Sequence, residues 1–229
     1  MGGKVLRKVR ESRGLTQSQL GARLGVSQGY VALLEAGRRP VPPKLARKAV
    51  RLFKLNPGLL PPTGKRLSSV TLDELARDLS RLKYPGFAHL RGGWMKNPGE
   101  VLLAALAQPN LDPRVAEGLP WLLLNYPELD NGWLLAQARL LNLTNRLGFV
   151  VDLAKLVLEK RNKTDSLQYR ALGQLADLLR SSRLDFEDTL GQESLTDAER
   201  NWLRNNRSEQ ANYWHLLSDL RPEFLQFVE

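Results

Sequence analysis

Cysteine is absent from the 229 residues, so no disulfide framework and no thiolate-bound zinc can hold the fold. Histidine is nearly absent. His89 and His215 are the only two, and neither stands in a set of ligand-type residues at metal spacing. No apolar run approaches the roughly 18 residues of a membrane span, and the N-terminal stretch lacks the apolar core of a secretory signal. Alternation of polar and apolar residues long enough for a half-buried strand is missing as well. No nucleophile stands beside a base, and Gly92-Gly93 lies in no phosphate-loop or dinucleotide setting. The absences together predict an all-α, soluble, cytoplasmic protein that is not an enzyme. They leave no catalytic residue, metal ligand or cofactor to expect, and no membrane partner.

Acids are scarce in one region only. Residues 1–66 hold 15 lysines and arginines against two acids, Glu11 and Glu35, a net charge of +13. The remainder holds 19 basic and 22 acidic residues, a net of −3, so the whole surplus of +10 sits in the first quarter. A merely solvated surface would spread its charge along the chain. This asymmetry marks a polyanion-binding module joined to something else. Helices with a globular apolar stripe in that module favour double-stranded DNA over a membrane surface.

The basic segment contains a compact pattern over residues 16–39, TQSQLGARLGVSQGYVALLEAGRR. Thr16 suits an N-cap, because its hydroxyl can accept from a first-turn amide. Leu20 and Leu24, four apart, share one helix face, and Gly25 allows the positive φ of a sharp exit. Ser27 caps a second helix whose Val31 and Leu34 can close onto those leucines. Gly21 and Ala22 are small where the two helices must cross. Gly37 ends the second helix. This is a helix-turn-helix whose second helix suits a major groove.

Residues 5–55 resemble the Cro/C1-type, XRE-like helix-turn-helix regulators, with Leu15, Thr16, Gln17, Leu20, Leu24, Gly25, Val26, Ser27, Glu35 and Gly37 carrying the likeness. The resemblance implies four short helices around one small core. Two departures stand out. Gly21 replaces the family's usual alanine, at a cost of up to ~1 kcal/mol in helix propensity, and Pro42-Pro43 restricts the chain before the next helix. In that helix Leu45, Ala49, Leu52 and Phe53 are expected to turn inward. In the first helix, over residues 4–13, Val5, Leu6 and Val9 are expected inside and Arg7, Lys8 and Arg10 outside.

Eight residues are the DNA-binding candidates: Gln17, Ser27, Gln28, Gly29, Tyr30, Arg38, Arg39 and Lys44. Gln28 can donate to and accept from adenine as a bidentate pair. Gln17 can bond a phosphate while bracing Gln28, as the resemblance also implies. Gly29 would let the backbone approach the groove. Tyr30 suits a thymine methyl or a phosphate, or simple packing. Arg38 and Arg39 can clamp the DNA backbone or offset a helix dipole. Lys48, Arg7 and Arg10 are weaker phosphate candidates, and Glu35 suits an arginine partner.

The chain divides by composition into a DNA-binding domain at 1–56, a Pro- and Gly-rich linker at 57–70, and a larger helical domain at 71–229. The last reads as a stack of helical hairpins or a bundle, without a strict repeat period. Thr71 with Glu74, and Thr196 with Glu199, have capping-box spacing. Asp112-Pro113 opens a helix that Pro120 should kink. Helices are also expected over 185–190, 208–220 and 222–228. The break at 84–99 gathers His89, Arg91, Trp94 and Lys96 as either an anion or partner surface or a plain connection. The acids of DFEDTLGQES read as a solvated or partner-facing edge, and His215 as a packing residue.

Residues 114–154 resemble helical parts of antitoxin-type regulators paired with nucleotidyltransferase-type toxins. Two functions therefore stay open beyond DNA binding. A dimeric repressor or autoregulator could restrain a cognate toxin protein, or its helical domain could sense a small effector or peptide. An enzyme delivered to DNA, or a nucleoid protein that binds any sequence, is the lesser alternative.

Overall fold

A computed structural model describes residues 1–64 and 66–227. Lys65, inside the expected linker, and Val228 and Glu229, at the end of the expected final helix, lie outside the described residues. The chain forms two compact units, Met1–Thr63 and Gly64–Glu229. The fold is all-α. Twelve α-helices are seen among the described residues, with one pair of two-residue strands.

The first unit has four helices: α1 (Gly3–Ser12), α2 (Gln17–Leu24), α3 (Gln28–Glu35) and α4 (Pro43–Phe53). Leu6, Leu20, Val31 and Leu34 are fully buried, and Ala46, Ala49, Val50 and Phe53 close the core from α4. Local chemistry sets the boundaries. Thr16 forms a capping box with Gln19, Gly25 leaves α2 in the left-handed region at φ 76°, and the Ser27 hydroxyl accepts from the Tyr30 amide. Glycine at position 21 is required by space, because a Cβ there would lie 2.6 Å from the Val26 carbonyl oxygen. Three expectations are corrected. Ala22 is exposed, since Gly21 alone makes the close approach. Leu52 is largely exposed, because Leu45, Ala46, Ala49, Val50 and Phe53 already fill the inward face of α4. Arg10 points inward to an ion pair rather than out.

The second unit contains α5 (Leu72–Arg81), α6 (Pro98–Leu106), α7 (Pro113–Asn125), α8 (Asn131–Leu140), α9 (Thr144–Lys160), α10 (Leu167–Arg180), α11 (Asp197–Asn206) and α12 (Glu209–Tyr213). Helix α9 is the axis, buried along most of its length and packed against α6, α7, α8, α10 and α12. That makes this unit a bundle around one central helix. The capping boxes of Thr71 and Thr196 form, and Asp112 caps α7. Helix α7 runs as one element through Pro120.

Residues 185–190 and most of 208–220 are not helical. Asp188–Thr189 (β1) pairs in parallel with Leu216–Leu217 (β2). His215, at φ 54°, turns the chain out of α12 into β2. Asp188 is drawn inward by Arg146, which donates two bonds of 2.7 Å to it and two more to the carbonyls of Leu106 and Gln108. Glu187 takes the Arg204 guanidinium. Asp188 and Glu187 are therefore tied into ion pairs, while Asp185 and Glu193 stay exposed as expected of a solvated edge. The 84–99 break is likewise split: Tyr84 and Phe87 enter the core, Lys96 donates to the buried Asp78 at 2.6 Å, and His89, Arg91 and Trp94 stay exposed. Only a short turn, Pro222–Phe224, is seen where the last helix was expected. Among the described residues no helix is long and apolar enough to cross a membrane.

Candidate nucleic-acid interface

The tight turn after Gly25 brings the first residues of α2 and α3 together. The Gln28 amide nitrogen donates to the Gln17 side-chain oxygen at 2.8 Å, closing the two helix starts onto each other. Neither helix has an acid in its first turn, and nor does α4. Their positive dipole ends thus keep no carboxylate of their own, which suits the approach of a phosphate.

The inward face of α3 is Val31, Leu34 and Glu35; its outward face is Gln28 and Gly29, with Ala32 and Leu33 half-buried beyond them. Gln28 is the one polar side chain on that outward face. Gly29 is open, for a Cβ there would meet nothing within 4 Å, so packing gives no reason for glycine. The Ser27 hydroxyl oxygen caps the helix and keeps its own hydrogen free to donate. Tyr30 is half-buried, and the Arg39 guanidinium lies over its ring, 5.9 Å from the centroid. This contact places Tyr30 both as packing and beside a cation. Gly37, at φ 71°, ends the segment, and the amides of Arg38 and Arg39 both donate to the Leu33 carbonyl. The side chains of Arg38 and Arg39 are exposed, as is Lys44 in the first turn of α4. None of the three has a carboxylate partner among the described residues.

Of the weaker phosphate candidates, Arg7 pairs with Glu11 at 2.8 Å on the surface. Lys48 donates to the Leu24 carbonyl at 2.7 Å and so caps the end of α2. Arg10 belongs to the interior. It forks onto Glu35 with bonds of 2.7 and 3.1 Å and reaches the Leu15 carbonyl at 3.0 Å. Glu35 in turn accepts from the Gln17 amide nitrogen at 3.0 Å. Burial works against the Glu35 carboxylate, yet the bonds from Arg10 and Gln17 outweigh it and hold its pKa below the ordinary value. The sequence signalled the Glu35 pairing, since a lone acid among many cations rarely stays unpaired. It gave no sign that Arg10, on a helix read by its apolar stripe, would be the partner.

Residues 3–61 match a family model described as a helix-turn-helix domain, in agreement with the likeness of residues 5–55 to Cro/C1-type regulators. No match is found among curated proteins or among solved structures. The N-terminal unit is thus a helix-turn-helix domain, the DNA-binding part of a regulator.

Proposed function

We propose that the protein is a sequence-specific transcriptional regulator, a repressor or autoregulator, that places α3 in the major groove of duplex DNA. The observation that carries this reading is the Gln17–Gln28 amide pair at two adjoining helix starts, in a unit that also exposes Arg38, Arg39 and Lys44. Gln28 faces adenine, offering a donor to N7 and an acceptor to the N6 amine. Gln17, Ser27 and the three cations take phosphates, and Gly29 lets the helix approach closely. One α3 reads only a few base pairs, too few to find an operator among genomic competitors. A homodimer with two such helices about 34 Å apart would cover a partly palindromic site, with the second unit supplying self-association. The chain works in the cytoplasm and catalyses no reaction.

The second unit is larger than dimerisation needs. Its resemblance to antitoxin-type regulators favours a cognate toxin protein as partner. A small effector or peptide is the second reading, favoured by two adjoining clefts that share Asp219 and Phe224. Trp202, 55% exposed, lines one of them and would report an added effector by its fluorescence.

Selection of bound duplexes from a random pool tests the main reading, with Gln28→Ala as control. An inverted repeat recovered by the wild type and lost by the variant supports it. Equal capture of all sequences by both would make the protein a general DNA-coating one instead.

A further inference from the structure

Four side chains run in one line from the interior to the exposed start of α3. Arg10 donates to Glu35, Glu35 accepts from Gln17, and Gln17 accepts from Gln28. The Glu35 side chain is 4% exposed and that of Arg10 is 13% exposed, so this end of the line is fixed by packing and charge.

The chemistry gives the line a direction. A guanidinium only donates and a carboxylate only accepts. Glu35 must therefore meet the NH2 end of the Gln17 amide, which turns the Gln17 oxygen toward Gln28. That oxygen in turn demands the NH2 end of Gln28. One Gln28 hydrogen is thereby engaged, while its other hydrogen and its carbonyl oxygen remain outward, in a fixed order. A free glutamine could turn its amide over at little cost and present the two in either order.

We infer that Glu35, backed by Arg10, is a positioning residue for base reading: it fixes which way round the Gln28 amide meets the DNA. The inference rests on Gln28 reading a base, as proposed above. With the order fixed, Gln28 matches the acceptor–donor edge of adenine and sets its oxygen against the O6 acceptor of guanine. Neither Glu35 nor Arg10 touches the duplex. Their effect passes through Gln17, and it is an effect on discrimination between bases rather than on affinity for any duplex.

The test uses the full-length protein and the half-site duplex recovered by selection, together with duplexes substituted at each adenine. Wild type should prefer one adenine over its substitutions by roughly 5- to 150-fold. Glu35→Gln, whose amide can present either end to Gln17, should lose most of that preference while binding of unrelated duplex changes little. Loss of the Glu35 charge takes from Arg10 its buried partner, leaving Glu11 at 3.3 Å on the surface, and could unfold the unit. Gln17→Ala therefore cuts the line at a partly exposed joint that strands no charge. It should lower affinity for every duplex by a similar factor, through a missing phosphate contact, and in addition lose the adenine preference. Full preference retained by Gln17→Ala, or by folded Glu35→Gln, while Gln28→Ala loses it, overturns the inference and leaves base reading intact. Full preference retained by Gln28→Ala overturns both.

Discussion

At the scale of single residues, two glycines near the recognition turn have opposite reasons for being glycine. Gly21 sits where a Cβ would strike a backbone carbonyl at 2.6 Å, whereas Gly29 opens onto space. Gly21→Ala should therefore destabilise the unit by roughly 1–3 kcal/mol, despite alanine's better propensity. Gly29→Ala should stabilise it by about 0.5–1 kcal/mol while weakening DNA binding. Thermal melts followed by circular dichroism distinguish the two signs. Glu35 gives a pH prediction. Its pKa is lower folded than unfolded, so its pairing contributes fully at neutral pH. That contribution declines as pH drops past the ordinary glutamate value of about 4.3 and is gone below the lower folded value. Urea midpoints at pH 6 and pH 4 should differ more for wild type than for Glu35→Gln.

At the scale of elements, legibility followed distance along the chain. The caps of Thr16, Ser27, Thr71, Asp112 and Thr196 were readable, because each is a bond to an amide two or three residues away. So were the Gly25 turn and the Gln17–Gln28 brace, the latter through the family likeness. Partnerships made far along the chain were not. Asp188 meets Arg146 across 42 residues, and nothing local in its segment opposes a helix. The apolar stripe of α1 puts Arg10 outside, because such a stripe carries no information about a buried ion pair. The Arg146–Asp188 pair gives a further test. Asp188→Asn would leave a buried guanidinium undercompensated and cost about 3 kcal/mol. All five tryptophans lie in the second unit, so the fluorescence-detected transition should move by that amount. The cations after α3 make a separate prediction. Replacing Arg38 and Arg39 together with alanine should reduce the slope of log affinity against log salt by about 2, with base preference unchanged.

At the scale of the whole molecule, the division of charge mirrors the division of labour. A unit whose residues 1–63 hold 13 basic and two acidic residues, a net charge of +11, and whose second, third and fourth helices begin without an acid, is joined to a bundle in which Asp188 and Glu187 pair with arginines. In the function proposed, DNA affinity and its salt dependence come from the first. In the function proposed, a regulatory partner would meet the second unit, which holds the clefts lined by Trp202 and Phe224. The composition showed this partition at once, since charge asymmetry survives without knowledge of any contact. Whether the bundle recognises a partner was not legible, because a partner surface has no composition of its own.

The most direct measurement replaces each adenine of the selected duplex by 7-deazaadenine, which keeps base pairing and removes only the N7 acceptor in the major groove. If Gln28 reads that edge, one substitution should weaken wild-type binding about fivefold, the worth of a hydrogen bond near 1 kcal/mol, and leave Gln28→Ala unaffected. Wild-type binding unchanged at every adenine would contradict the placement of α3 in the groove.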